Sequence, residues 1–157
     1  MGGDSTIDKF NERVKEFVKD LKRINAKDKD IVKIELFLRT SLMKEDAILK
    51  QFQIHVLRDN LVTGILKQDL DYLISYDFFN DDTTLTEVKS DYLVRLFDRV
   101  KTILISLKGT VSGKQNIKNI FEWMTTLIYY AYLNLGIDPD TKMKNLVKND
   151  TATEVST

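Results

Sequence analysis

Apolar residues in "TIDKFNERVKEFVKDLKRI" fall at Ile7, Phe10, Val14, Phe17, Leu21 and Ile24, in alternating steps of three and four. That spacing puts all six on one side of a 3.6-residue turn and predicts an amphipathic α-helix. Ser5 or Thr6 is placed to cap it, and Asp8 suits the positive end of the helix dipole. After "NAKDKD", the segment "IVKIELFLRTSLM" predicts a second helix with Asp28 or Asp30 near its start. "KEDAILKQFQIHVLRD" and "NLVTGILKQDLDYLISY" predict two more, with a bend between Arg58 and Leu61. The latter would bury Leu61, Ile65, Leu66, Leu70, Leu73 and Ile74, although Gly64 inside it costs up to about 1 kcal/mol against alanine.

"DFFNDDTT", residues 77 to 84, is the clearest loop. It leads through a capping box, Thr84 with Glu87, into a helix at about 85–107. That helix sets Leu85, Val88, Tyr92, Leu96, Val100, Ile103 and Leu107 on one side. "KGTVSGK" interrupts the chain, and Ser112 with Gln115 offers a second capping box. Gly136 followed by Pro139 stops the next helix. "TKMKNLVKND" predicts one short helical turn and "TATEVST" a frayed tail. The expected architecture is all-α: one helical domain over 1–144, a flexible tail over 145–157, and five to six helices in a compact bundle. Its centre is the hydrophobic helix at about 114–135.

The most apolar stretch, Ile120 to Leu135, settles that centre. Its 16 residues cover about 24 Å, short of the roughly 20 apolar residues a bilayer needs. It also carries Glu122, Thr125, Thr126 and Asn134. Glu122, Thr125, Tyr129 and Tyr132 form one narrow polar strip. Ile120, Phe121, Trp123, Met124, Leu127, Ile128, Ala131 and Leu135 cover most of the remaining circumference, as in a helix wrapped by neighbours.

The chain has 157 residues, 43% hydrophobic and 31% charged, the balance of one globular domain. Its 24 basic and 24 acidic side chains create no global field favouring nucleic acid or an anionic membrane. Cysteine is absent and His55 is the single histidine. Disulfide frameworks, thiol nucleophiles, Cys-containing zinc sites and multi-His metal sites are thereby excluded. His55 lies between Ile54 and Val56 and reads as a packed side chain. The N-terminus lacks the basic-then-apolar pattern of a secretion signal.

Candidate chemistry is sparse. "GTVSGKQ" at 109–115 has one residue too few between Gly109 and Gly113 for a phosphate loop, Gln115 where a hydroxyl is needed, and a helix before it. Acidic residues concentrate between 69 and 91; basic ones follow, at Arg95, Arg99, Lys101, Lys108, Lys114 and Lys118. The basic set is the candidate interaction surface. It lacks the interleaved aromatics that single-stranded nucleic acid would need. "MGGDST" fits the N-myristoylation pattern, with Gly2 as the acceptor. No catalytic residue, no metal ligand set and no cofactor site is expected.

Two resemblances add expectations. "LIYYAYLNLGIDPDTKMKNLVKND" resembles the closing helix and tail of the all-α nucleotide pyrophosphatases, the MazG and dimeric dUTPase group. Their activity implies Glu-Glu-x-x-Glu and Glu-x-x-Asp pairs holding magnesium. Here Glu122 is followed by Thr125 where the second acid should stand. Glu12, Glu16 and Asp20 share a helix face but alternate with Arg13, Lys15, Lys19 and Lys22. A degenerate or rearranged pyrophosphatase is therefore an alternative.

"FNERVKEFVKDLKRINAKDKDI", "QFQIHV" and "LKQDLDYLISYDF" together resemble a family of small helical proteins encoded by large DNA viruses of algae and protists. The resemblance rests on Phe10, Phe17, Asp20, Leu21, Asp28, Lys29, Asp30, Phe52, Val56, Asp69, Asp71, Tyr72, Asp77 and Phe78. It implies a setting without a chemistry: a non-enzymatic structural or interaction protein, virion-associated as a minor capsid or adaptor component. The expected partners are proteins, either other virion components or a second copy. The expected location is host cytoplasm or virion, without secretion. A peripheral membrane adaptor is a further alternative, requiring acylation at Gly2.

Overall fold

The structure is a computed structural model that describes residues 2–40, 46–78 and 92–156. Among them it contains eight α-helices and no strand: α1 (Gly2–Ile24), α2 (Lys29–Thr40), α3 (Ala47–His55), α4 (Asp59–Leu66), α5 (Leu70–Ser75), α6 (Tyr92–Leu107), α7 (Gly113–Asn134) and α8 (Pro139–Ser156). The all-α class expected from the sequence is present. The helix number is higher than five to six because the 60–76 segment divides into α4 and α5 and because α8 is a full helix.

The apolar seam of α1 does what its spacing dictates. Phe10, Val14, Phe17 and Leu21 are fully buried, and Ile7 and Ile24 pack at the margins. This seam lies along α7, which also meets α3, α4, α6 and α8. Helix α2 bridges α1 and α6, and α5 leans on α4 and α6. A string of rings ties the layers together. Phe10 meets Phe52 edge-on at 5.3 Å, Phe52 and Phe97 are 6.0 Å apart, and Phe97 lies 5.3 Å from Phe78. Tyr76 and Tyr72 continue it onto α5.

Helix α7 is the most widely contacted element but is not wrapped on all sides. Ile120, Phe121, Met124, Leu127, Ile128 and Ala131 are buried. Tyr132, assigned to the polar strip by spacing, is also buried, while Leu133 and Leu135 are 41% and 52% exposed. Trp123 is half-buried.

Helix ends follow local chemistry, with three departures from expectation. Asp28 does begin α2: its Oδ1 accepts from the backbone N–H groups of Asp30 and Ile31, at 2.9 and 3.2 Å. Helix α1 starts at Gly2, so Ser5 and Thr6 lie inside it and are not its caps. Ser112 precedes α7 in a helical conformation and makes no side-chain cap bond. Gln115 donates to Asn119 Oδ1 instead, because the tight turn from Leu107 to Gly113 already sets the helix entry. The third departure is α8, which runs to Ser156 where one short turn was expected. Pro139 at its first position loses no needed donor, and no breaker follows. The Thr84–Glu87 box and the start of the 85–107 helix lie outside the described residues.

Two helices end in the same way with different residues. At α7, Gly136 has φ +76°, its N–H reaches the Leu133 carbonyl, and the Ile137 N–H reaches Tyr132. This is a Schellman stop in the left-handed region that glycine tolerates. At α4 the identical pair of bonds, Gln68 to Ile65 and Asp69 to Gly64, forms around Gln68 at φ +53°. Asp69 then caps α5 by accepting from the Tyr72 N–H at 3.1 Å. Gly64 is needed at this corner: a Cβ there would sit 2.7 Å from Tyr72 Cδ1.

Candidate functional site

Half of the basic set, Arg99, Lys101 and Lys108, ties α6 and its C-terminal end to neighbouring elements. Arg99 reaches Asp28 Oδ2 from both Nε and Nη2 at 3.2 Å and lies 3.6 Å from Asp30. Asp28 is buried, so this pair joins the start of α2 to α6 where water screens it little. Lys101 donates to the Tyr76 carbonyl and lies over the Phe78 ring. Lys108 pairs with Asp71 of α5 at 2.6 Å. Lys118 approaches Glu122 only to 4.0 Å. Arg95 is exposed on α6, and Lys114 is exposed in the first turn of α7. The six residues thus point to several surroundings instead of one patch. Gly2, the candidate acceptor of an acyl chain, is the first residue of α1.

Two of the three acids singled out on α1, Glu16 and Asp20, face α7. An open groove of about 660 Å³ runs between these helices, lined by Glu16, Asp20, Arg23, Glu122 and Trp123, with Lys19 at its edge. Trp123 stacks against Phe17 at 6.2 Å and 24°, and its Nε1–H donates to Asp20 Oδ2 at 3.3 Å. Asp20 also accepts from Arg23 Nε at 2.9 Å, and Glu16 accepts from Arg13 at 2.6 Å. Glu16 holds the Arg13 guanidinium further in its charged form, first through that hydrogen bond. Glu12 faces a smaller recess between α1 and α2, whose walls are tied by Lys22 and Glu35 at 3.1 Å. Among the described residues, no group of three or more acids or histidines converges as a metal-binding cluster.

A different surface lies at the far end of α7. Leu133, Leu135 and Ile137 are 41%, 52% and 37% exposed within five residues of chain. Gln53 of α3 donates to the Ala131 carbonyl at 3.1 Å and to Asn134 Oδ1 at 3.0 Å. That bridge brings the neighbouring Ile54, 52% exposed, to the same end of the bundle. Beside it the chain buries two polar side chains. His55 is packed, and its Nδ1 has no hydrogen-bond partner. The Tyr132 hydroxyl is likewise unpartnered, and burial, followed by the nearby Asp59 charge, pushes its pKa up to about 12.

Spacing alone missed this apolar end, because it counts Leu135 among the residues covered by neighbouring helices, whereas Leu135 lies past the last packed turn of α7 and is 52% exposed. The signal present in the sequence was an alternating Leu-Asn-Leu-Gly-Ile at a helix stop, where no following seam could cover it. No described helix is long and apolar enough to cross a membrane. Compared with protein-family models, with characterised proteins and with solved structures, the chain matches none.

Proposed function

We propose that the protein works without catalysis, as a helical interaction protein whose apolar end around the α7–α8 turn seats a partner protein. The observation that supports this is the exposure of Leu133, Leu135 and Ile137 around the α7–α8 turn, with Ile54 exposed on α3, which Gln53 ties to the same end of α7. Scattered exposed leucines are ordinary, whereas several large apolar side chains exposed at one end of a small domain suit a contact site. The segment at 10–78 that resembles virus-encoded helical proteins supplies the setting. In that setting the partner is another component of a large DNA virus particle or a second copy of the chain, met in the host cytoplasm or the virion.

The test replaces surface without touching the core. Leu133→Asp with Leu135→Asp should keep the helical circular dichroism and the unfolding midpoint. Cross-linking in infected cells, read by mass spectrometry, should then lose the partners seen with the wild-type chain. Sedimentation of the pure protein distinguishes self-association from a heterologous partner. Equal cross-linking yields for the wild type and the folded double variant would sink the proposal.

A further inference from the structure

We infer that α8 is a releasable strap, which swings off α4 and α7 as one unit about the turn at 136–138 while the rest of the bundle stays folded. Ionic strength sets how often it does so. Release turns Met143 and Leu146 to solvent beyond Leu135 and Ile137, so the open form presents a larger apolar end. That consequence rests on the reading of the apolar end as a contact site; the release itself does not.

The attachment of α8 is thin. Among the described residues the buried hydrophobic core ends, along the chain, at Tyr132, and α8 packs against it through the partly buried Met143 and Leu146. Between residues 139 and 150 only Pro139, next to the turn, is buried. Farther along, Lys142 reaches Asp59 of α4 at 3.5 Å, and Lys67 at the end of α4 reaches Asp150 at 2.5 Å. An open space of about 470 Å³ separates the two helices, with Asp59, Asn60, Thr63, Asn149 and Asp150 on its walls. Both ion pairs border this polar space, where water and salt screen them.

The turn is built to move. Gly136, Ile137 and Asp138 are all exposed. Gly136 has φ +76°, and no neighbouring atom lies within 4 Å of the place where a side chain would begin, so nothing blocks a change of direction there. A terminal helix with few buried contacts, screened ion pairs and an unobstructed pivot opens at a lower free energy than the core it leans on.

Hydrogen exchange read by mass spectrometry on the full chain, without any partner, tests this. After correction for intrinsic rates, amides from Lys142 to Asp150 should exchange alike, and faster than those of α1 by on the order of a hundredfold. Raising the salt should speed α8 by about fivefold and leave α1 unchanged. Lys67→Gln with Lys142→Gln should reproduce that acceleration at low salt and abolish the salt response. Rates graded from Asp150 back to Lys142 would mean fraying at the end, and would overturn the inference. Exchange of α8 in step with α1, or a salt response that survives the double substitution, would overturn it too. Leu133→Asp with Leu135→Asp should leave the α8 rates as they are. If α8 exchanges with the core while that variant still loses its cross-linked partners, only the strap fails; the reverse result removes only the apolar-end contact.

Discussion

Helix α1 presents Phe10, Val14, Phe17, Val18 and Leu21 to the core, each at most 1% exposed. Helix α8, 18 residues against the 23 of α1, contributes Met143 and Leu146, both only partly buried. Two ion pairs also hold it to α4, Lys67 to Asp150 and Lys142 to Asp59, with all four side chains more than a third exposed. The two helices have similar backbones and unlike attachments. Burial of an apolar stripe is non-directional and insensitive to salt, whereas exposed ion pairs are worth a fraction of a kcal/mol each and are screened. A helix polar nearly all round is held by what it touches at a few points.

The largest expected effect tests the α1 side. Phe17→Ala removes a ring that packs on Trp123 within a closed core, and should cost about 3–5 kcal/mol. Urea unfolding monitored by circular dichroism measures it. Deleting the chain from Pro139 onward should cost less, about 2 kcal/mol, from the buried Pro139, a few half-covered side chains and two screened pairs. The same melts at rising salt should narrow the gap between full-length and shortened chains. A truncation more damaging than Phe17→Ala would break the comparison.

Smaller effects come from the joints. Gln68 occupies the left-handed position that Gly136 fills at the other Schellman stop. Gln68→Gly should therefore raise stability by about 0.5–1 kcal/mol, read as a higher urea midpoint. The smallest effect at neutral pH belongs to Tyr132→Phe, which deletes a buried hydroxyl with no partner and should leave the midpoint unchanged or slightly higher. At alkaline pH the two chains should separate. In the unfolded chain the phenol titrates near about 10, but in the fold only near about 12. Across that window the unfolded state gives up a proton the fold retains, so wild-type stability falls as pH rises. Thermal melts between those limits should decline less steeply for Tyr132→Phe.

The contrast between α1 and α8 also explains what could be read in advance. Helix α1 was legible because burial imposes period on sequence, and its six seam residues keep that period without interruption. Helix α8 was not, because its covered side is only Pro139, Met143, Leu146 and Val147, a stripe too short and too sparsely apolar to stand out from its polar surroundings. The α4–α5 break was hidden by Gln68, a residue that gives no turn signal; the hydrogen bonds around it were decided by packing. Asp28 was legible as a helix start, being a local cap. Its pairing with Arg99, 71 positions away, was not, since separations of that kind are set by the assembled helices. The groove acids Glu16 and Asp20 were visible as one helix face. Their meeting with Glu122 and Trp123 required knowing that α1 lies along α7.

The corner at Gly64 has a reach beyond its own turn. Tyr72 fills the space where a methyl would be, and α5 carries two tethers to α6: Asp71 to Lys108, and the Tyr76 carbonyl to Lys101. Any side chain at 64 would press on Tyr72 and so on α5, which packs against both α4 and α6. Tolerance to change at that one position is thus governed by a linkage spanning three helices.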